Sequence, residues 1–291
     1  MRVLVTGATG QVGSEVASLF HRLGHDVVAP GRAGLDLMRP AEVEQRVRLL
    51  GPDWIINCAA YTQVDRAESE PEQAFTVNRD SPAALARAAA ACNARLLHIS
   101  TDFIFDGRQT RPYREDDAPG PLGVYGQSKR EGELALQEIL PDAMLLRTAW
   151  VYGVHGHNFV KTMLRLAGEG RPLRVVDDQT GSPTWARDIA GAIAGLLQAD
   201  AAGVYHYSNA GSVTWCGFAA AILEEAVRVG FDIQTRTVEP ITTADYPTPA
   251  RRPAYSVLDT ARIRTELGLV IPAWRDSLVN MLGELHTCET S

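Results

Sequence analysis

The 291-residue chain has only four cysteines, Cys58, Cys92, Cys216 and Cys288, which lie far apart with no C-x-x-C pair and no histidine at ligand spacing. That scarcity excludes a disulfide framework and a structural zinc site, and it suits a reducing compartment. Long hydrophobic runs are missing too: no stretch approaches the roughly eighteen apolar residues that a membrane span needs. Met1-Arg2 leads directly into "VLVTG" rather than into the apolar core of a secretion signal. A cytoplasmic protein with no membrane partner is expected. Positive charge is in deficit, with 28 Lys and Arg against 35 Asp and Glu and a formal net charge of −7. This argues against nucleic acid as a partner, while one local basic pocket for a small anion stays open.

What is present is ordinary for a globular protein: 45% hydrophobic and 22% charged residues. The length approaches the upper size for one core, so one large domain, or a domain with a small lobe, is expected. No internal repeat or low-complexity tract is visible. Through the first half, short apolar runs alternate with helix-period stretches, the pattern of βαβ units around a parallel sheet. Candidate strands are 2–7, 26–30, 53–60, 95–101 and 143–152. Between the first two, Val12, Val16, Leu19, Phe20 and Leu23 recur at helical spacing, and Gly24 stands where a C-terminal cap belongs.

In the second half Pro and Gly fall irregularly, as in "YPTPARRPAYS", between a few helical stretches such as 216–229. The segment 185–199 has an apolar face that suits the sheet. The expected division is therefore a dinucleotide-binding domain over 1–152, rejoined by about 183–210, and a smaller substrate-binding lobe from 153–182 and 211–291.

"VTGATGQVG" sets Gly7, Gly10 and Gly13 directly after the first strand, with Gln11 and Val12 opening the first helix. Glycines there permit a turn with positive φ, close approach of a pyrophosphate and tight packing of helix on strand. The helix N-terminus then faces the phosphates with free N–H groups. This points to a Rossmann-like, doubly wound α/β sheet that binds NAD or NADP. At the end of the second strand, where an acidic residue would bind the adenosine ribose of NAD, the chain has Pro30-Gly31-Arg32, followed by Asp36 and Leu37. An arginine suits the extra phosphate of NADP, so NADPH is favoured, with NADH also possible. Ala59, Ala60 and Tyr61 end the third strand on the same edge and would flank the cofactor, unless they serve packing alone.

Tyr125 and Lys129 in "VYGQSKREGE" are four apart, on one face of a helix. A phenol beside an ammonium has a lowered pKa and can protonate the oxygen of a ketone under reduction. The alternative is a solvated helix face. Ser100, Thr101 and Asp102 end the fourth strand on the carboxyl edge, where such sheets hold ligands. Thr101 is placed to bond the substrate carbonyl, and Asp102 to fix a sugar hydroxyl or cap a turn. Trp150 suits stacking on a deoxysugar or packing in the core, and Asn158 suits a polar contact or a helix cap. Arg251 and Arg252 are candidates for a substrate pyrophosphate, with surface ion pairing as the alternative.

With these residues in view, the chain resembles the extended short-chain dehydrogenase/reductases and, within them, the dTDP-4-dehydrorhamnose reductase family. "GATGQVG", "STDFIFDG", "YGQSKREGE", "RTAWVYG", "NFVKTMLRLA", "DDQTGSPTW" and "ARRPAYSVLD" follow that family's order over nearly the whole chain. The resemblance implies NAD(P)H-dependent reduction of the C4 ketone of dTDP-4-dehydro-L-rhamnose to dTDP-L-rhamnose, for cell-surface polysaccharide. It implies catalytic roles for Thr101, Tyr125 and Lys129 and a place at the sugar for Trp150. Phe103 stands where many relatives have tyrosine. Some members bind magnesium at a dimer contact through glutamates. Glu15 matches one such position, but "TWARDIA" brings no glutamate beside it, which argues against a magnesium-dependent dimer and leaves a homodimer possible. Two rivals share the fold: a nucleotide-sugar epimerase or dehydratase that retains NAD, and a non-enzymatic regulatory subunit.

Overall fold

The computed structural model describes residues 1–290. Strands β1 (Arg2–Thr6), β2 (Asp26–Val28), β3 (Trp54–Asn57), β4 (Arg95–Thr101) and β5 (Met144–Thr148), with a sixth at Gly203–His206, form one sheet. All neighbouring pairs are parallel, in the order sixth strand, β5, β4, β3, β1, β2. Parallel strands are covered on both faces, and β3 and β5 are accordingly buried at every position. Alternate side chains of β1 serve opposite cores. Val3 and Val5 pack with Val16, Phe20, Ile189 and Ile193 on one face, while Leu4 packs with Val43, Leu85 and Leu136 on the other. The chain leaves β1 for β2 on one side and returns to β3 on the other. The carboxyl ends of β1 and β3 therefore flank a crevice.

The helices that matter for the site are α1 (Gln11–Arg22), between β1 and β2, and the helix Val124–Ile139, between β4 and β5. Gly24 closes the end of α1 with φ +81°, its N–H donating to the His21 carbonyl. The helix Ala186–Gln198 packs against α1, so its apolar face returns to the main sheet.

Three expected strands are shorter than their apolar runs. The expected 26–30 ends at Val28, 53–60 ends at Asn57, and 143–152 splits into Met144–Thr148 and Val151–Tyr152. Trp150, with φ +46°, breaks the last of these. The smaller lobe packs the helices Phe159–Gly168, Trp215–Val229 and Trp274–Thr290 around Val160, Met163, Phe218, Ile222, Leu278 and Met281. A second return to the sheet has no counterpart in the expected division. The helix Ala261–Leu267 places Ile263 in the same core as Tyr205 of the sixth strand, covering what would be an open edge. Among the described residues no helix is long and apolar enough to cross a membrane.

Candidate active site

At the carboxyl end of β1 the chain turns at Gly7, which has φ +66°, and a Cβ there would lie 2.8 Å from the backbone of Ala59. Only glycine lets the two strand ends approach so closely. Gly13 faces the same turn from within α1, where a Cβ would fall 2.1 Å from the Gly7 carbonyl oxygen. Gly10 is the α1 N-cap and makes no side-chain cap bond. The first-turn N–H groups are therefore available to an anion.

This loop forms one end of a cleft of about 810 Å³. Gly7, Gly10, Gln11 and Val12 line that end, with Arg32, Asp36, Leu37, Ala59 and Ala60 nearby. Arg32 also lines an adjoining recess of about 420 Å³ together with Arg39 and Arg46. Asp36 is partly engaged, its Oδ1 accepting from the Met38 N–H at 3.0 Å. The uncapped helix start and the guanidinium-lined recess fit a dinucleotide. Gly13 and Tyr61 lie off the lining. Tyr61 acts as a buttress, donating its N–H to Asn78 Oδ1 at 2.8 Å and its hydroxyl to Glu70 at 2.7 Å.

Thr101, Asp102, Tyr125, Lys129, Trp150, Asn158 and Arg252 line the rest of the same cleft. Val124–Ile139 begins at Gly123, which has no side chain to cap it, and Glu68 supplies the missing acceptor by taking the Val124 N–H at 2.8 Å. That fixes the helix turn carrying Tyr125. The Thr101 hydroxyl donates to Asp102 Oδ1 at 3.1 Å, and the ring of Phe103 meets the Tyr125 ring edge-on at 5.5 Å. Burial pushes the Tyr125 phenol up to about 12. Asp102 is buried and pushed up to about 6, burial outweighing the hydrogen bond that its Oδ1 accepts from Thr101, while its buried Oδ2 has no partner.

Lys129 and Tyr125 share a helix face as expected, but the ammonium does not bond the phenol. Lys129 Nζ donates to the Ile99 carbonyl at 2.6 Å and to His98 Nε2 at 3.1 Å. The expected lowering of the Tyr125 pKa by its neighbour is thus overturned, because the long lysine side chain reaches under the helix to β4 and burial dominates at the phenol. Burial also brings Lys129 down to about 8, partly offset by Glu133. Glu133 is itself buried and bound by Arg147 at 2.9 Å and Arg130 at 2.8 Å.

On the substrate side, Trp150 lies parallel to Trp215 with ring centroids 3.5 Å apart. Its positive φ is unusual for a bulky residue, and the ring fills the space a side chain on Gly181 would need. Asn158 lines the cleft and also caps the helix Phe159–Gly168, accepting from the Lys161 N–H at 3.0 Å and donating to Gln11 Oε1 at 3.0 Å. Of the two arginines, Arg252 reaches the cleft, while Arg251 is exposed and off it. Arg252 forms a two-point ion pair with Asp65, at 2.7 and 3.0 Å.

Sequence reasoning did not single out Asp65, Trp215, His98 or Thr148. Thr148 lines the cleft with a buried hydroxyl that has no partner. Its place at the carboxyl end of the fifth strand was the available signal, whereas Trp215 and Asp65 come from distant segments with no distinctive spacing.

Glu15 is engaged within the chain by Arg187. Its guanidinium bonds Glu15 at 3.1 Å and Glu284 at 2.5 Å. A cation already sits between the two carboxylates, and no cluster of three metal-ligating side chains occurs among the described residues. Within one chain, Glu15 and Glu284 are thus charge-balanced by Arg187.

A family model described as "RmlD substrate binding domain" matches residues 1–287. The dTDP-4-dehydrorhamnose reductase of Escherichia coli K12 is 43% identical over 99% of this chain and 99% of its own. The crystal structure of dTDP-4-dehydrorhamnose reductase from Bacillus anthracis in complex with NADP superposes with a TM-score of 0.91 at 36% identity, covering 97% of this chain and 99% of that one. A crystal structure of a dTDP-4-dehydrorhamnose reductase from Clostridium acetobutylicum gives a TM-score of 0.92 at 34% identity, covering 98% and 100%.

Proposed function

We infer that this chain, which belongs to the dTDP-4-dehydrorhamnose reductase family, reduces the C4 ketone of dTDP-4-dehydro-L-rhamnose to dTDP-L-rhamnose with NAD(P)H. The observation that carries the reading is the placement of Thr101, Tyr125 and Lys129 in one cleft with the glycine loop. When bound, the reduced nicotinamide supplies the hydride for the sugar carbon. The residues of the chain manage the proton and the charge. Tyr125, held protonated by burial, gives its proton to the C4 oxygen. Thr101 donates a hydrogen bond to that oxygen, and the Lys129 ammonium, held on His98 and Ile99 a turn further along the helix, keeps a positive charge at the reacting end of the cleft. Gly7, Gly10, Gln11 and Val12 hold the pyrophosphate of the dinucleotide, with Ala59 and Ala60 beside it. Trp150, Asp102, Asn158 and Arg252 hold the nucleotide sugar.

NADPH is the preferred donor in this reading, because Arg32, Arg39 and Arg46 gather guanidinium groups at the end of the second strand. The test is loss of nicotinamide absorbance when dTDP-4-dehydro-L-rhamnose, generated in place, is added with NADPH or NADH, followed by identification of the sugar formed. Turnover to dTDP-L-rhamnose is expected with both donors and at lower concentrations of NADPH. Cofactor binding without turnover of this sugar would overturn the assignment. Arg32→Ala should weaken NADPH much more than NADH, and equal weakening in titrations of the two would remove the case for NADPH.

A further inference from the structure

Resting on the reductase reading above, a deeper question is what holds Lys129. Its Nζ is buried, and the acceptors that reach it are the Ile99 carbonyl and His98 Nε2. An ammonium has no lone pair, so Nε2 must be bare, and a neutral ring then carries its proton on Nδ1. Nδ1 lies 2.7 Å from the side-chain amide of Asn57. With the amide nitrogen toward the ring, two N–H groups would oppose each other. A half-turn of the amide, which exchanges its oxygen and nitrogen, removes the conflict. The oxygen then accepts from Nδ1–H, and the NH2 group donates to the Thr6 hydroxyl, 2.5 Å from the amide.

Thr6, Asn57 and His98 are partners in register across β1, β3 and β4, and each is at most 2% exposed. A polar row through three central strands is costly where groups go unpaired; this arrangement pairs both His98 nitrogens, while the Ala59 N–H, which reaches the Asn57 amide at 3.3 Å, is left to Thr6 Oγ1 at 3.4 Å. We propose that His98, locked by Asn57 as the neutral tautomer protonated on Nδ1, is a positioning residue that holds the Lys129 ammonium at the reacting end of the cleft.

The other groups facing Lys129 do not perform this task. Tyr125 lies a turn earlier on the same helix, with Asp102 beyond it. Glu133 lies a turn later and is taken by Arg147 and Arg130. Cys58, from the loop after β3, is kept a neutral thiol, pushed up to about 12 by burial. The His98 ring is held uncharged by burial and by Lys129 itself.

Two measurements test the assignment. In protein labelled with 15N-histidine, the ring nitrogen shifts and couplings of His98 should report the neutral Nδ1–H tautomer from pH 6 to 7, below the Lys129 pKa of about 8. An Nε2–H ring or an imidazolium would overturn it, and this readout does not need turnover. If the wild type failed to reduce the sugar, the functional reading would fall while the tautomer still decided this one.

The second measurement is the pH profile of kcat. His98→Leu removes the acceptor, which should lower kcat about ten- to a hundred-fold and move the alkaline limb down by about one pH unit. His98→Gln, whose amide oxygen can accept from Lys129, should bring the limb back. A folded His98→Leu enzyme with an unmoved limb would refute the positioning role.

Discussion

Tyr125 and Asp102 are titratable groups whose pKa values burial raises, with different consequences. For Tyr125 the protonated phenol, held up at about 12, is the form a proton donor requires. Tyr125→Phe should therefore keep cofactor affinity, measured by fluorescence titration, while turnover falls about a hundred- to ten-thousand-fold. For Asp102 the folded pKa is raised from 3.8 to about 6. A raised pKa gives a contribution that is fully present below the unfolded value and is lost as pH rises through about 6. Above that pH the protein carries an ionised carboxylate in a buried site, at a cost on the order of 3 kcal/mol. Asp102→Asn stays neutral throughout. Its melting temperature should gain on the wild type between pH 4 and pH 7.5, and parallel curves across that range would contradict the assignment.

The element that governs the chemistry is the helix Val124–Ile139, which is fixed at its start by Glu68 and further along by a buried ion pair. Glu68 puts an acceptor and a negative charge at the N-terminus, where both are favourable. Glu68→Ala should cost about 1 to 2 kcal/mol in urea unfolding, and kcat should fall with it, because Tyr125 is in the first turn. Glu133 binds Arg147 of β5 through two hydrogen bonds, with both side chains almost fully buried. Glu133→Gln leaves a buried guanidinium short of its counter-charge and should cost about 3 to 5 kcal/mol by the same measurement. The helix itself was legible in "VYGQSKREGE". Its supports were not, since Glu68 lies 56 residues before Val124 and Arg147 lies 14 after Glu133.

Across the whole molecule, the cleft is closed by contacts between segments far apart in the chain. Trp150, just past the end of β5, stacks on Trp215 at the start of a helix in the smaller lobe. Arg252, in the loop that returns from the lobe, is gripped by Asp65 from the segment after β3. A substrate pyrophosphate at this position would meet Arg252 already paired, so the gain on binding comes from exchanging one anion for another. Arg252→Gln should raise KM for the nucleotide sugar about ten- to a hundred-fold, with a smaller change in kcat. Arg251→Gln, at an exposed position off the cleft, should leave both nearly unchanged. Steady-state kinetics of the two variants separates what the sequence, with adjacent arginines in "ARRP", left open.

The sequence by itself determined the parallel sheet, the glycine turn and the pairing of Tyr125 with Lys129 on one helix face. These rest on local rules: strands read as apolar runs, helices as a 3.6-residue period, and positive φ as glycine. Only the tertiary structure decided that Lys129 reaches His98 rather than Tyr125, that Arg187 lies between Glu15 and Glu284, and that Arg252 rather than Arg251 enters the cleft. Those outcomes depend on burial and on which distant side chain arrives within hydrogen-bonding distance. Both are properties of the packed chain, and no short window of residues carries them.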